Sequence, residues 1–497
     1  MKAALMVWGA SSGAGKSLLA TALCRWAARQ GIDVAPFKAQ NMSNNARVVP
    51  GADGAAGEIG SAQYFQALAA RVAPQVDMNP VLLKPERDTA SQVVLQGRVD
   101  ADLSRQPWRE RSPALAAAAR ASFERLAAAH ELLVIEGAGS PAEINLAPQD
   151  YVNLGSARWA RERGSLRALL VADIDRGGAF AHLYGSWALL PHDLQGALAG
   201  FVLNKFRGDS ALLAPGPQQL EALTGVPLLG VLPLLRDHGL PDEDGIGGVG
   251  GSQAVPAAHA SGPRIAIVAW PHISNLDEFQ PLAAVAQLRW ARSAAELDGA
   301  DWIVLPGSKQ VSGDLAWLRA RGMAEPIVRH AQQGRALLGV CGGMQLLGEG
   351  LDDPAGVDGQ AHGPLPGLGL LPLSTHYAAP KRLRAAQVSF GALRGAWQGL
   401  SGLAPAAYEI RCGRTEVTRS EVATGGSAVL FDAAGEAIGW QAGNVLGVAV
   451  HGLFEDAAVQ RALFGEPVRT LDHTLDALAD LIDAHLGAAT LRALLRV

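Results

Sequence analysis

Short apolar runs alternate with helix-patterned segments along the first half of the chain, and this alternation limits the possible folds most severely. Residues 3–8, 132–135, 168–172, 200–203 and 228–232 read as strands, with helical stretches such as 17–30 and 112–129 between them. Strands separated by helices need crossover connections, which give a parallel sheet with helices on both faces. A Gly, Ala, Ser and Pro run without periodicity, GIGGVGGSQAVPAAHASGP, fills 245–263 and reads as a linker. Strands resume at 264–269, 302–305, 336–340 and 445–450, and an amphipathic helical stretch covers 470–495. The expected organisation is two α/β domains, 1–245 and 263–465, joined by a linker at 246–262 and followed by a helical tail at 466–497.

Composition removes several function classes. Hydrophobic residues make up 49% of the 497 and charged residues 18%, enough apolar material for sizeable cores and too much for a disordered chain. Lys and Arg number 42 against 47 Asp and Glu, a net charge of -5, so there is no basic excess to drive nucleic-acid binding. No long uncharged apolar stretch suggests a membrane helix. The first apolar run stops at a Gly/Ser loop rather than at a cleavage site, so no signal peptide is expected. Three scattered cysteines, Cys24, Cys341 and Cys412, suit neither a disulfide framework nor a Cys-rich zinc site. They fit a reducing compartment, and the expectation is a cytoplasmic protein.

The first chemical signal is GASSGAGKS at 9–17, placed after the first strand and before the first helix. Glycines let successive backbone N–H groups turn inward on a phosphate, and the helix N-terminus adds partial positive charge. Gly13, Gly15, Lys16 and Ser17 are the expected nucleotide-binding residues, with Lys16 reaching the β/γ-phosphates and the Ser17 hydroxyl on Mg²⁺. The spacing departs from GxxxxGK[ST], because Ala10 stands where the first Gly belongs and Gly9 lies one residue further out. Glu136 closes a buried strand and is the candidate carboxylate for the same Mg²⁺, since hard cations take oxygen ligands and an unpaired buried acid is costly. Asp173 and Asp175 end the next strand and are second candidates. Lys38, in FKAQNMSNN at 37–45, offers a cation at the same sheet edge for the transferring phosphoryl charge.

The second signal is GVCGG at 339–343, a strand, a sharp turn and a helix. Small neighbours permit the strained turn that presents a nucleophile, and a helix N-terminus favours the thiolate. Cys341 is therefore the candidate nucleophile, whereas Cys24, inside a helix, reads as a small buried hydrophobe. His451 ends an apolar strand in the same domain and is the candidate base. Gly307, Ser308 and Gly342 are the candidate oxyanion-hole residues, and Gln345, in the helix that follows, is a further candidate lining residue of the same pocket.

These motifs resemble the cobyric acid synthase family, the glutamine-hydrolysing amidotransferases of cobalamin synthesis. The resemblance runs from about residue 3 to 465 and rests on FKAQNMSNN (37–45), DMNPVLLKP (77–85), EGAGSPAEINL (136–146), VADIDRGG (171–178), LPGSK (305–309), GVCGG (339–343) and VHGLF (450–454). It implies an α/β fold with an N-terminal P-loop, dethiobiotin-synthetase-like parallel sheet and a C-terminal class I glutamine amidotransferase-like domain. It implies ATP and Mg²⁺ as cofactors, and glutamine and a corrinoid polycarboxylate as substrates. The implied reaction is ATP-dependent amidation of the b, d, e and g carboxylates of (adenosyl)cobyrinic acid a,c-diamide. Carried over residue by residue, Cys341 is the glutaminase nucleophile, His451 its base, and Gly15, Lys16 and Ser17 belong to the ATP loop.

Two positions depart from that pattern. Class I glutaminases usually carry Glu two residues after the His, where this chain has Leu453, so His451 needs another orienting group, such as a backbone carbonyl. The family often reads YEIHMGRT where this chain has Tyr408-Glu-Ile-Arg411-Cys412-Gly-Arg-Thr415. Three alternatives stand beside this reading: a cobyrinic acid a,c-diamide synthase-type amidotransferase, a P-loop switch ATPase, and a scaffold with an inactive glutaminase-like domain. The last two leave Cys341 and His451 idle.

Overall fold

The computed structural model describes residues 1–51, 54–87, 90–235, 239–240, 262–359, 361–418, 426–465 and 470–495. The expected linker 246–262 falls outside the described residues except for Gly262, as do 466–469 and 496–497 of the expected tail. The chain forms two units, Met1–Glu243 with Leu471–Val497, and Asp244–Thr470. Among the described residues no helix is long and apolar enough to cross a membrane.

The first unit is built on strands β1 (Ala3–Gly9), β2 (Val34–Phe37), β3 (Leu132–Glu136), β4 (Ser165–Asp173), β5 (Leu198–Phe206) and β6 (Leu228–Pro233). Their order is β6-β5-β4-β1-β3-β2 and every pairing is parallel. β1 is buried along its whole length. That explains why it reads as a continuous apolar run rather than an alternating one. The chain adds β2 and β3 on one side of β1 and then crosses to β4 on the other. This change of direction opens a crevice at the carboxyl ends of the central strands. Gly9, Phe37, Glu136 and Asp173 are the last residues of β1, β2, β3 and β4, so the loops singled out in the sequence converge on one edge.

Helix α1 (Lys16–Arg29) follows the glycine loop and is buried without a break from Leu19 to Ala27, with Leu19, Leu23 and Trp26 on one face. Part of that face meets the end of the chain. Helices α5 (Leu471–Leu486) and α6 (Ala488–Leu495), expected as a tail beyond the second domain, fold into the first unit instead. Earlier in the chain lie helices α2 (Ser61–Ala69), α3 (Trp108–Ala129) and α4 (Gly342–Leu347). Leu475, Leu478, Ala479 and Ile482 join Leu19, Leu23 and Trp26 in one core. Polar contacts fix the register: the buried Arg25 donates to Asp476 at 2.8 Å and Asp472 at 2.5 Å, and Trp26 Nε1 donates to Asp483 at 3.1 Å. The sequence showed an amphipathic helix but not where its apolar face lands, because docking depends on contacts some 450 residues apart.

The second unit carries a mixed sheet. Strands β7 (Arg264–Val268), β8 (Gln287–Ala291), β9 (Trp302–Leu305), β10 (Ala336–Val340), β11 (Gly350–Asp353), β12 (His362–Pro366), β13 (Leu373–Phe390), β14 (Ala406–Val417), β15 (Gly426–Asp432), β16 (Ala437–Ala442) and β17 (Val445–Val448) make it up. The order is β8-β7-β9-β10-β17-β16-β15-β13-β11-β12, with β14 paired to β13. The stretch β8-β7-β9-β10-β17 is parallel. From β17 to β16, β15 and β13 the pairings turn antiparallel.

Arg25→Ala removes both ion pairs and the packing of the guanidinium stem. Its partners Asp472 and Asp476 have side chains 72% and 39% exposed, so solvent screens the pairs and the cost falls below that of a fully buried one. The expected loss is about 2 kcal/mol, read as a lowered midpoint in denaturant unfolding of the full chain. The exposed pair Lys2–Glu131, 78% and 51% exposed, provides the contrast: Lys2→Ala should shift that midpoint little.

Candidate active sites

At the edge of the first sheet, the glycine loop turns through Gly13 at φ 68° and Gly15 at φ 97°. Gly15 is doubly constrained, since a Cβ there would stand 1.9 Å from the Asn204 amide nitrogen. Neighbouring β5 holds the loop from outside. Asn204 donates to the Ala14 carbonyl at 2.9 Å, and the Lys205 ammonium donates to that of Gly13 at 2.7 Å. Lys16 lies back across the loop that precedes it, donating to Ser11 O at 3.1 Å and Gly139 O at 3.2 Å. The loop, the ammonium and the start of α1 thus form the cradle expected for a polyphosphate.

Glu136 sits at the centre of this edge with no exposed surface. Its Oε1 accepts from the Ser17 hydroxyl at 2.7 Å and from the Lys38 ammonium at 2.8 Å. Its Oε2 accepts from Gln63 at 3.4 Å and from Gln66, both on helix α2 (Ser61–Ala69). A buried carboxylate is costly unless paired and hydrogen-bonded, and here both oxygens have partners. The structure therefore brings together Ser17, Lys38 and Glu136, three residues chosen from separate motifs. One hydroxyl and one carboxylate are a donor set that suits Mg²⁺, which takes few protein oxygens. Among the described residues no cluster of three or more His, Cys, Asp or Glu could hold a metal. Asp173 and Asp175 are occupied otherwise: Asp173 pairs with Lys205 at 3.1 Å and Arg176 at 3.2 Å, and Asp175 pairs with Arg207. Cys24 lies inside the core, where burial, with Glu136 adding to it, pushes its thiol pKa far up.

In the second unit the site follows from strand order. β10 leads into Cys341, β9 on one side leads into Gly307 and Ser308, and β17 on the other leads to His451. Cys341 has φ 50° and ψ -106°, a conformation that side chains seldom adopt, and it caps helix α4 (Gly342–Leu347). Its N–H donates to Val448 O at 2.8 Å, which ties the turn to β17. The glycines are required here by space. A Cβ on Gly343 would lie 1.9 Å from Leu305 O, and one on Gly342 would lie 2.7 Å from Ser308 N. The turn after Cys341 is thereby packed onto the Gly307–Ser308 segment. Ser308 is held in turn, its hydroxyl donating to Asp314 at 2.5 Å. Asp314 also meets His272 Nδ1 at 2.9 Å, and burial, only partly offset by these contacts, raises its pKa. The Gln345 side-chain carbonyl accepts from the Tyr377 hydroxyl at 3.0 Å.

His451 is 1% exposed and its ring stacks on Tyr408, centroids 5.4 Å apart. The group that orients His451, left open by the sequence with a backbone carbonyl as one example, is the Glu278 carboxylate, which meets Nδ1 at 2.7 Å. The other Glu278 oxygen accepts from Gly452 N at 3.0 Å. Burial alone would lower the His451 pKa, but Glu278 and Cys341 together outweigh it and hold it up at about 10. The Cys341 thiol donates to Ile410 O at 3.7 Å. Arg411, at the family's His position, is buried and bonded to Glu409 at 2.7 Å and to Gly413 O at 2.7 Å. Sequence reading missed Gln63, Gln66, Asn204, Lys205 and Glu278. The one available signal for Glu278 was an acid set among Leu276, Phe279 and Leu282, apolar residues of a packed segment.

The fold and both sites describe a two-part protein, one part built to bind nucleotide and the other carrying a thiol–imidazole pair. The comparisons agree. Residues 5–244 match the CobQ/CobB/MinD/ParA nucleotide binding domain, and residues 264–459 match the CobB/CobQ-like glutamine amidotransferase domain. The chain is 59% identical to the cobyric acid synthase of Leptothrix cholodnii, over 99% of this chain and 97% of that one. It is 59% identical to that of Methylibium petroleiphilum (99% and 96%) and 57% to that of Variovorax paradoxus (99% of each). The chain belongs to the cobyric acid synthase family.

Gly343→Ala must push Leu305 and with it the Gly307–Ser308 segment. Overpacking of this kind typically costs about 1–3 kcal/mol. The expected outcome is a loss of glutamine hydrolysis with nucleotide binding retained, measured by glutamate release and by nucleotide titration of the same preparation.

Proposed function

We propose that the chain uses ATP and glutamine to amidate the b, d, e and g carboxylates of (adenosyl)cobyrinic acid a,c-diamide, giving (adenosyl)cobyric acid. The observation that carries this reading is the presence of both half-sites in one chain of this family: the Ser17–Glu136–Lys38 cluster beside a glycine loop, and Cys341 beside His451. A carboxylate resists attack by ammonia because it is negatively charged and its leaving group is oxide. Transfer of the ATP γ-phosphoryl group to it gives an acyl phosphate, whose phosphate can leave. Such transfer is catalysed mainly by positioning and by neutralising charge. Lys16 and Lys38 supply that charge, and the loop N–H groups fix the phosphates. Ser17 and Glu136 would hold a Mg²⁺, which when bound would supply Lewis-acid stabilisation of the phosphoryl charge.

The nitrogen comes from glutamine. The Cys341 thiolate attacks the side-chain amide carbon, the N–H groups around Gly307, Ser308 and Gly342 receive the oxyanion, and imidazolium His451 gives its proton to the amide nitrogen, which leaves as neutral ammonia when the C–N bond breaks and the thioester forms. Water attacks the thioester with His451 now acting as base, which releases glutamate and restores the thiol. Ammonia made in this way is neutral, whereas ammonia in bulk water at neutral pH is mostly ammonium and does not attack.

Cys341→Ala should abolish glutamine-dependent amidation while leaving amidation with added ammonium salt within about twofold. Lys16→Arg should depress amidation from both nitrogen sources, because a planar guanidinium replaces a compact ammonium. Product masses report the substrate directly: four added amides per cobyrinic acid a,c-diamide support this reading. Amidation of cobyrinic acid at a and c would support the diamide synthase alternative.

A further inference from the structure

We propose that Glu278 is the positioning acid of the glutaminase site, taking over from outside the His451 strand the role that Leu453 cannot fill. The inference rests on the reading of Cys341 as nucleophile and goes beyond it, since Glu278 stands 173 residues from His451 in sequence. Four observations carry it. The two residues are 1% exposed each, so their contact is shielded from water. Glu278 Oε1 meets Nδ1 at 2.7 Å, which requires the ring proton on Nδ1 in the neutral form and leaves Nε2 for the thiol side. Glu278 Oε2 accepts from Gly452 N at 3.0 Å, so the carboxylate grips the ring and the backbone beside it at once. A carboxylate in this position holds the imidazole in one tautomer and orientation and stabilises its cation without taking the proton itself.

The fourth observation is where Glu278 comes from. Ile273 and Ser274 pair antiparallel with Ser308 and Gly307, the segment assigned to the oxyanion hole. Asn275, in the left-handed region at φ 52°, then turns the chain into the short helical segment Leu276–Ala284 that bears Glu278. Phe279, the next residue, packs against Phe454 beyond His451, ring centroids 6.0 Å apart. One short stretch therefore braces the oxyanion strand with its backbone and the base with its carboxylate. The titratable groups facing His451 are Cys341 from the elbow, Glu278 from this segment and Tyr408 from β14. Cys341 is the reacting group and Tyr408 meets the ring face, so Glu278 is the member able to set the Nδ1 proton.

The test compares Glu278→Gln, Glu278→Asp and Glu278→Ala in the full-length chain, with Cys341→Ala alongside. Glutamine hydrolysis is followed from pH 6 to pH 11, and ammonium-dependent amidation and the thermal midpoint are recorded for each. Glu278→Gln should lower kcat for glutamine roughly 100-fold with little change in KM, a loss on the scale of a misoriented acid–base catalyst. The sign for pH is fixed: without the carboxylate the His451 cation is less favoured, so the high-pH limb of kcat/KM moves to lower pH. Glu278→Asp should recover part of the rate and of that limb, and Glu278→Ala none. An unchanged rate and limb in Glu278→Gln would overturn the proposal. So would parallel loss of both nitrogen sources with a lowered midpoint in all three variants, which marks a purely structural residue. Hydrolysis surviving in Cys341→Ala would instead sink the underlying reading of the site.

Discussion

The Glu136 carboxylate, sealed from solvent at the end of β3, is the constraint on which the synthetase unit depends. A charge in that position is tolerated only because four side chains from three places converge on it: Ser17 from α1, Lys38 beyond β2, and Gln63 and Gln66 from α2. Each partner is therefore placed relative to the carboxylate as well as to its own element. The result couples the glycine loop, the Lys38 loop and α2 into one polar assembly at the edge of an otherwise apolar sheet. Burial raises the cost of any misplacement, so the arrangement specifies geometry more than it adds stability.

The glutaminase unit reaches comparable precision by strand order. Three neighbouring parallel strands deliver the Gly307–Ser308 segment, Cys341 and His451, in that spatial sequence. Register fixes their relative heights, with Leu305 opposite Gly339 and Gly339 opposite Gly447. Glycine then decides how closely the ends approach. Where Gly342 and Gly343 press on Ser308 and Leu305, there is no room for a methyl group. The strained φ of Cys341 is stabilised by this packing and by the bond from its N–H to Val448.

What the sequence revealed divides along the range of the interactions. Local patterns carried the parallel first sheet, four strands of the second, the glycine loop before α1 and the elbow at Cys341, because each depends on residues a few positions apart; the antiparallel extension of the second sheet was not read. The places of Glu136, Lys38 and His451 were also legible, since polar groups at the ends of buried parallel strands stand out from the apolar runs before them. Asp173 and Asp175 obeyed that rule and led elsewhere. Local sequence cannot show that Lys205, Arg176 and Arg207 take them up. The docking of α5 on α1 and the approach of Glu278 to His451 were invisible for the same reason: both join segments far apart in the chain. The missing acid at position 453 pointed to a gap in the site without indicating what fills it.

The two sites share a device. In each, one buried glutamate divides its oxygens between a proposed catalytic group and the scaffold. Glu136 gives Oε1 to Ser17 and Lys38 and Oε2 to the amides of α2. Glu278 gives Oε1 to the His451 ring and Oε2 to the Gly452 backbone. The division matters because a carboxylate held by a single oxygen can rotate and take its partner with it. Anchoring the second oxygen removes that freedom before any substrate arrives, so less orientation has to be gained at the moment of reaction. The difference between the two lies in what the first oxygen must do. At Glu136 it faces a hydroxyl and an ammonium, partners that can yield to a divalent cation. At Glu278 it faces an imidazole, and under the proposed mechanism a fixed anion steadies the ring's charge until its proton passes to the departing amide nitrogen.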